Sequence, residues 1–438
     1  MACRFTFRFV WLLSAVCCFS ISAAAADAPW PQWRGPQRDA HSPEKGLNLN
    51  WEAAEPKLAW IGEGLGEGYA SLSCDGDRLY TTGNKDKGQA VLAVSAANGS
   101  VIWETSLTDQ VPRHGYEGSR CTPTIDGDRL YVVASSGAIV CLNKADGAVV
   151  WRKNFADEWN GKMMSGWGFS ESPLVDGDWV LCTPGGPEAM IVALNKQNGE
   201  EVWRSAVDDF GGAAGKNGKG LKKGAGYSSI VVSNAAGVKQ YVQLVGQGVI
   251  GVRASDGKFL WGYDGVANGT ANIPTPIPTG DYVFCSTGYN TGSALLHLTK
   301  DGEGVKAEEV YFLPGNVMQN KHGGMVLVDG HVYCGHGNGS GIPICVELKT
   351  GDVKWGGDKR GPGSGEAAVI YADGHIIYRF QDGTVASVEA TPAEMKVKGS
   401  FKPAFQQGKS WAHPIIANGR LYLREQDKLM CYDLREST

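Results

Sequence analysis

The hexapeptide DGDRLY occurs twice in this chain, at 75–80 and at 126–131. An identical turn-and-strand phrase used twice implies a repeated structural unit, and a second phrase completes it. AVSAANGSVIW (93–103), CLNKADGAVVW (141–151), ALNKQNGEEVW (193–203) and CVELKTGDVKW (345–355) share one pattern, which GVRASDGKFLW (251–261) follows more loosely. Each runs from a small residue through apolar alternation to a turn glycine, then three residues and Trp. The glycine supplies the positive φ of a tight hairpin. The two phrases alternate, so a unit reads strand, DGD-type turn, strand, loop, strand, glycine turn, strand.

Terminal aromatics fall at Trp60, Trp103, Trp151, Trp203, Trp261, Phe312, Trp355 and Phe401, at intervals of roughly 43 to 58 residues. Four strands per interval describe the blades of a β-propeller. The high content of Gly, 61 residues, and Trp, 14, agrees with short strands and tight turns. The count predicts an all-β, eight-bladed β-propeller of four-stranded antiparallel blades, with seven blades as the alternative because the seventh unit lacks the Gly–Trp ending. Seven units are continuous. The eighth has three C-terminal strands, AHPII, RLYLR and LMCYDL, and takes its fourth from PKLAW, which ends at Trp60. An N-terminal strand joining the C-terminal blade closes the ring and leaves no open edge. The expected layout is a signal peptide over 1–26, an arm over 27–50 laid across the ring, and the propeller over 51–438.

Arg4 and Arg8, an apolar run FVWLLSAVCCFSI and the small residues SAAAA form a secretory leader pattern. The run is short for a membrane anchor. Val16 before Cys17 suits lipoprotein processing poorly. The net charge of −5, which becomes more negative once Arg4 and Arg8 are removed, argues against nucleic acid or an anionic membrane as partner. We therefore expect an exported protein, periplasmic or extracellular. Cysteines recur at repeat positions that are filled elsewhere by small or apolar residues: Cys182, Cys285 and Cys334 at one, Cys141, Cys345 and Cys431 at another. That pattern suits buried free thiols. Cys334 and Cys345, on neighbouring strands of one blade, are the pair placed to form a disulfide.

The eleven-residue endings resemble the tryptophan-docking motif of the PQQ-like, quinoprotein-type β-propellers, A-x-D-x-x-T-G-x-x-x-W. The arm WPQWRGPQRDAHSP is similar to the opening segment of quinoprotein dehydrogenases. The resemblance spans almost the whole chain after the leader and implies the fold, with each Trp packed between blades. It implies two functions. One is a non-catalytic binding scaffold of the cell envelope, similar in kind to the outer-membrane assembly factor BamB, whose partner is an envelope protein or small molecule. The other is a divergent quinoprotein oxidoreductase carrying PQQ and calcium. The only adjacent Cys pair, Cys17–Cys18, lies in the leader, and no C-x-x-C-H haem motif is present. The binding reading is preferred, with no cofactor expected.

The segments leading into each blade's first strand are polar and glycine-rich, and they should ring one mouth of the central channel. Trp167, Tyr227 and Trp411 offer flat stacking surfaces there. Arg120, Lys321, His322 and His413 offer charge or hydrogen bonds to an anion. Glu117, Glu171 and Glu366 with Asn272 offer oxygens to calcium. A solvated channel lined by such residues without a ligand is the plainer reading of the same segments. GGAAGKNGKGLKKGAG at 211–226 reads as a solvated loop. Asn98, Asn268 and Asn338 begin glycosylation sequons whose Asn-Gly pairs also serve turns. No catalytic residue and no metal cluster can be picked from spacing.

Overall fold

Hairpins built on the repeated turns assemble eight separate four-stranded sheets, one of which gains a fifth strand. The computed structural model describes residues 1–2, 29–211, 215–216, 218 and 220–435, so nearly all of the predicted leader and the middle of the Gly/Lys loop lie outside the described residues. In the first blade Ser73–Asp75, Arg78–Lys85, Gly88–Ser95 and Val101–Ser106 pair antiparallel in chain order. Six further blades repeat this order. The eighth combines Ile415–Ala417, Arg420–Glu425 and Lys428–Asp433 with Lys57–Gly62 from the other chain end. Trp60 lies opposite Cys431 in that seam, and the eight-bladed closed ring stands as expected.

The repeated turn comes in two forms, and sequence position explains both. In the first three blades and the fifth the glycine is the first turn residue, with φ of 56° at Gly76, 57° at Gly127, 62° at Gly177 and 53° at Gly280. In the last three blades the glycine is second. Asp329, Asp373 and Asn418 then take the positive φ before it, as type I′ hairpins require. The fourth blade replaces the turn with a 3₁₀ segment, Ala235–Gly237.

The register also explains the recurrent small residues. Trp103 pairs Ala93, Trp151 pairs Cys141, Trp203 pairs Ala193, Trp261 pairs Gly251 and Trp355 pairs Cys345. A bulge follows each pair, and the indole lies over the facing position. A Cβ on Gly251 would sit 2.1 Å from the Trp261 indole nitrogen. The indoles of Trp60, Trp103, Trp151 and Trp203 then meet the turn glycine of the following blade, at Gly99, Gly147, Gly199 and Gly257. Indole N–H groups reach across as well: Trp60 to Ala96 O at 3.2 Å, Trp151 to Lys196 O at 3.1 Å, Trp355 to Thr391 O at 2.7 Å. The indole nitrogens of Trp103 and Trp203 have no partner.

Two of the expected docking aromatics are corrected, and the expectation of buried free thiols holds over the alternative Cys334–Cys345 disulfide. In the fifth blade Tyr311, not Phe312, holds the docking register: it pairs Leu295 before the bulge, packs on Gly351 and donates to Leu348 O at 2.7 Å. In the seventh blade Phe401 pairs Val385 further along the strand. Gly399 leaves space near the docking register, where Trp51 packs against it from the N-terminal segment. All eight described cysteines are buried, and Cys121, Cys141, Cys182, Cys285, Cys334, Cys345 and Cys431 are free thiols. Cys345 lies opposite Tyr333 and Cys334 opposite Ile344, and the two cysteines belong to cores on opposite faces of the sheet.

Gly99→Ala places a Cβ 2.6 Å from the Trp60 ring at a residue with φ of +77°. We expect a loss of about 2 kcal/mol or more in unfolding free energy, measured by denaturant titration. Gly76→Ala, with φ of +56° but no atom within 4 Å of the added Cβ, should cost less.

Candidate functional site

The site is built on a floor supplied by the arm. Trp30 exchanges two backbone hydrogen bonds with Cys74, and Pro31 O accepts from Ile125 N, which ties the arm to the first two blades. Arg38 then donates to Ser172 O at 2.7 Å and Pro173 O at 3.0 Å in the third. Arg34 reaches Met325 O in the sixth, and His41 bonds Leu327 O at 3.0 Å. His41–Ser42 finally pairs in parallel with Tyr371–Ala372 as a fifth strand of the seventh blade. A dozen residues thus cross the axis of the ring from one side to the other. Both arginines are buried, and burial draws each down to about 10. They remain charged at neutral pH, neutralised by backbone carbonyls more than by carboxylates.

Above this floor is a cavity of about 470 Å³ with Trp33 and Arg34 at its base, a volume in the range of small-molecule sites. The segments leading into seven of the eight blades contribute to its wall, and the seventh blade adds Gln381 from the turn between its second and third strands. Tyr69, Tyr116 and Trp411 cluster on one side, with Trp411 5.1 Å from Tyr69, 5.0 Å from Tyr116 and 4.6 Å from His322 between ring centres. The Lys409 ammonium sits 4.6 Å from the centres of both Tyr116 and Trp411, a cation–π placement that orients the charge. Trp411 is fixed by its N–H donating to Gln381 Oε1 at 2.8 Å. Trp167 and Tyr227 meet edge-on at 5.9 Å elsewhere in the wall. Tyr227 OH is held by Ser165 Oγ at 2.7 Å.

Four cationic side chains line the cavity, Arg34, Arg120, Lys321 and Lys409, and no Asp or Glu does. Arg120 is anchored through Trp167 O at 2.7 Å and Gly115 O at 3.1 Å, with its guanidinium 5.8 Å from the Tyr69 ring centre. Burial draws it down to about 10, so it too stays charged. His322 and His413 are held down to about 3, first by burial and then by neighbouring positive charge. They are neutral hydrogen-bonding groups at working pH, not cations. His413 Nδ1 has no partner.

Six of the ten expected ligand residues therefore meet in one wall: Arg120, Trp167, Tyr227, His322, Trp411 and His413, with Lys321 beside them. The four oxygen donors do not line it. Glu117 is spent on Arg113 at 3.1 Å at the surface. Asn272 is buried, donating to Val245 O and Gly246 O and accepting from Asn268 N. Glu171 accepts from Thr183 N and is pushed up to about 7 by burial. Glu366 lies buried behind Lys321. Among the described residues no three His, Cys, Asp or Glu side chains are grouped to hold a metal ion, so these residues do not fit the calcium of the quinoprotein reading. Sequence reasoning missed Lys409, Tyr69, Tyr116 and Tyr289. The first three lie inside the polar segments that pointed to the mouth.

The family model described as outer membrane protein assembly factor BamB matches residues 40–153 and 87–357. The chain belongs to this family of PQQ-like β-propellers. Its curated relatives carry both kinds of name. The quinoprotein alcohol dehydrogenase PedH of Pseudomonas putida is 30% identical over 43% of this chain and 32% of its own. A polyvinylalcohol dehydrogenase of Pseudomonas sp is 24% identical over 55% of this chain and 34% of its own. BamB of Yersinia pestis is 26% identical over 35% of this chain and 37% of its own. The matched stretches thus make up about a third of each relative. Among solved structures, the quinohemoprotein alcohol dehydrogenase of Comamonas testosteroni superposes with a TM-score of 0.63 over 95% of this chain and 82% of its own, at 14% identity. That likeness concerns the fold. No helix among the described residues is long and apolar enough to cross a membrane.

Because His322 and His413 are buried among positive charges, both imidazoles should stay neutral down to at least pH 4. Histidine proton NMR across pH 4–8 should show two rings that do not titrate, against a usual midpoint near ~6.5.

Proposed function

We propose that this protein is an exported, non-catalytic binding propeller of the cell envelope, and that its working surface is the cationic, aromatic mouth of the channel. The observation that carries this reading is the lining itself: four cations, no carboxylate, and ring-bearing walls over a floor sealed by the protein's own arm. Such a blind funnel suits a small organic anion better than a broad protein surface would. Rigid blades hold the loops that carry these groups, which lowers the ordering cost of binding. The leader-like residues 1–26 and the envelope role in the name of the BamB relatives support export.

A quinone-dependent dehydrogenase is the second reading. It is favoured by the dehydrogenase relatives and by the match between aromatic walls and a flat acid such as PQQ. Against it stand the oxygen donors, which are spent singly and do not converge. PQQ would meet Arg120, Lys321 and Lys409 here, and when bound it supplies two-electron oxidation of an alcohol. This chain's own residues would bind and orient its acid groups.

The purified protein should be mixed with PQQ and calcium, then assayed for reduction of an artificial electron-accepting dye with ethanol, 1-butanol and polyvinyl alcohol. We expect no dye reduction above the protein-free rate. Alcohol-dependent reduction that is lost in Arg120→Ala would overturn the non-catalytic reading.

A further inference from the structure

Behind the mouth lies one carboxylate that is paired only loosely. Glu366 is 3% exposed, and neither of its oxygens has a hydrogen-bond partner. Lys321 Nζ lies 3.6 Å from Oε1, too long for a hydrogen bond. The same ammonium lines the cavity and sits 5.2 Å from the centre of the Tyr289 ring. The contrast with Arg379 and Glu425 is direct: that pair is fully buried and closes at 2.7 Å, and Arg379 donates again to Ala412 O. A buried carboxylate whose hydrogen-bonding capacity is left open is costly. Lys321 therefore faces two ways, toward Glu366 behind it and toward an open cavity in front.

We propose that Lys321 is the receiving cation of the mouth for a small carboxylate-bearing molecule, and that the arriving carboxylate replaces Glu366 as its partner while Glu366 takes a proton from solvent. The inference rests on the binding reading of the mouth. The exchange balances: one anion enters, one proton enters with it, and Glu366 becomes a neutral acid able to donate. The free site is already primed, since burial pushes Glu366 up to about 7 against the opposing pull of Lys321, the nearby Gly339 N–H and then Lys409. Losing Lys321 and gaining a nearby negative charge both raise it further. The other groups coupled to Glu366, Tyr289 and Cys334, are each pushed up to about 12 and stay protonated in the relevant range. A folded-state carboxyl raised in this way binds its proton more tightly in the complex than in the free protein. Affinity must then fall as pH rises above 7.

The test is isothermal titration of the full chain with benzoate and with glucuronate, an aromatic and a sugar acid. Each is run at pH 7.5 and 8.5 in buffers of differing ionisation enthalpy. We expect uptake of about one proton per bound anion at pH 8.5, and an affinity roughly tenfold weaker than at pH 7.5. Glu366→Gln should abolish both the uptake and the pH slope and bind more tightly than wild type at pH 8.5. Lys321→Met should weaken binding at least tenfold. Whichever probe binds with uptake identifies the ring type. Binding by wild type without proton uptake overturns the exchange and leaves the mouth as a site. No binding of either probe overturns the mouth reading as well. The wild-type measurement decides the matter even if a variant does not fold.

Discussion

The structure depends on one seam, the pairing of Lys57–Gly62 with Lys428–Asp433. Joining segments so far apart in sequence carries a loop-closure cost, but that cost grows only with the logarithm of separation. The contacts that offset it are concentrated at the seam. Trp60 docks on Gly99 of the first blade. Arg424 is fully buried, and donates to Thr81 Oγ1 at 2.7 Å, Gly66 O at 2.9 Å and Thr82 O. Asp427 accepts from Gly66 N at 2.7 Å and Gly64 N at 3.1 Å. Backbone, charge and indole thus cross the same junction.

That seam also dictates the site. The N-terminal strand occupies the outermost position of its blade, so the residues before it must run from the rim to somewhere. The sheets already satisfy their own hydrogen bonds, but the short first strands, three residues long in most blades, leave carbonyls free at the axis. Arg34 and Arg38 bind those carbonyls, and the arm comes to lie across the channel. A ring that would otherwise be an open tube becomes a funnel with a base. Closure, arm and cavity follow from one another in that order.

Period and turn chemistry made the blades legible. DGDRLY, the glycine turns and the Trp spacing give strand order, blade number and closure, because each is a local consequence of a repeated local pattern. The docking role failed where the motif decays. In the fifth blade two aromatics stand side by side, and only the register separates Tyr311 from Phe312. In the seventh, the Trp comes from residue 51, far away in sequence. The cysteine pair failed for a related reason: neighbouring strands are not the same as a shared face. The mouth was legible as a region, because its polar segments precede each blade, but charge was not. His322 and His413 read as offering either charge or hydrogen bonds and are neutral, since burial is invisible in a sequence. Glu171 and Glu366 read as ligands and lie behind the wall. The floor residues Trp33 and Arg34 were quoted within an arm that gave no sign of where it would cross.

The placement of charge separates scaffold from site. Arg38, Arg379 and Arg424 are buried and donate to carbonyls or to a carboxylate, so they serve packing. Lys321 and Lys409 make few such commitments. Lys409 is oriented by ring faces, and Lys321 by one distant carboxylate. A lysine ammonium is a compact charge on a flexible stem, readily redirected to a new partner, whereas the arginine fork is fixed by its geometry. The division of labour is then partial: Arg38 and Arg424 fasten the arm and the seam, while Lys321 and Lys409 stand with Arg120 where a partner can arrive. A mouth lined with cations and free of carboxylates has one counter-charge a layer back, Glu366, which faces Lys321 at 3.6 Å.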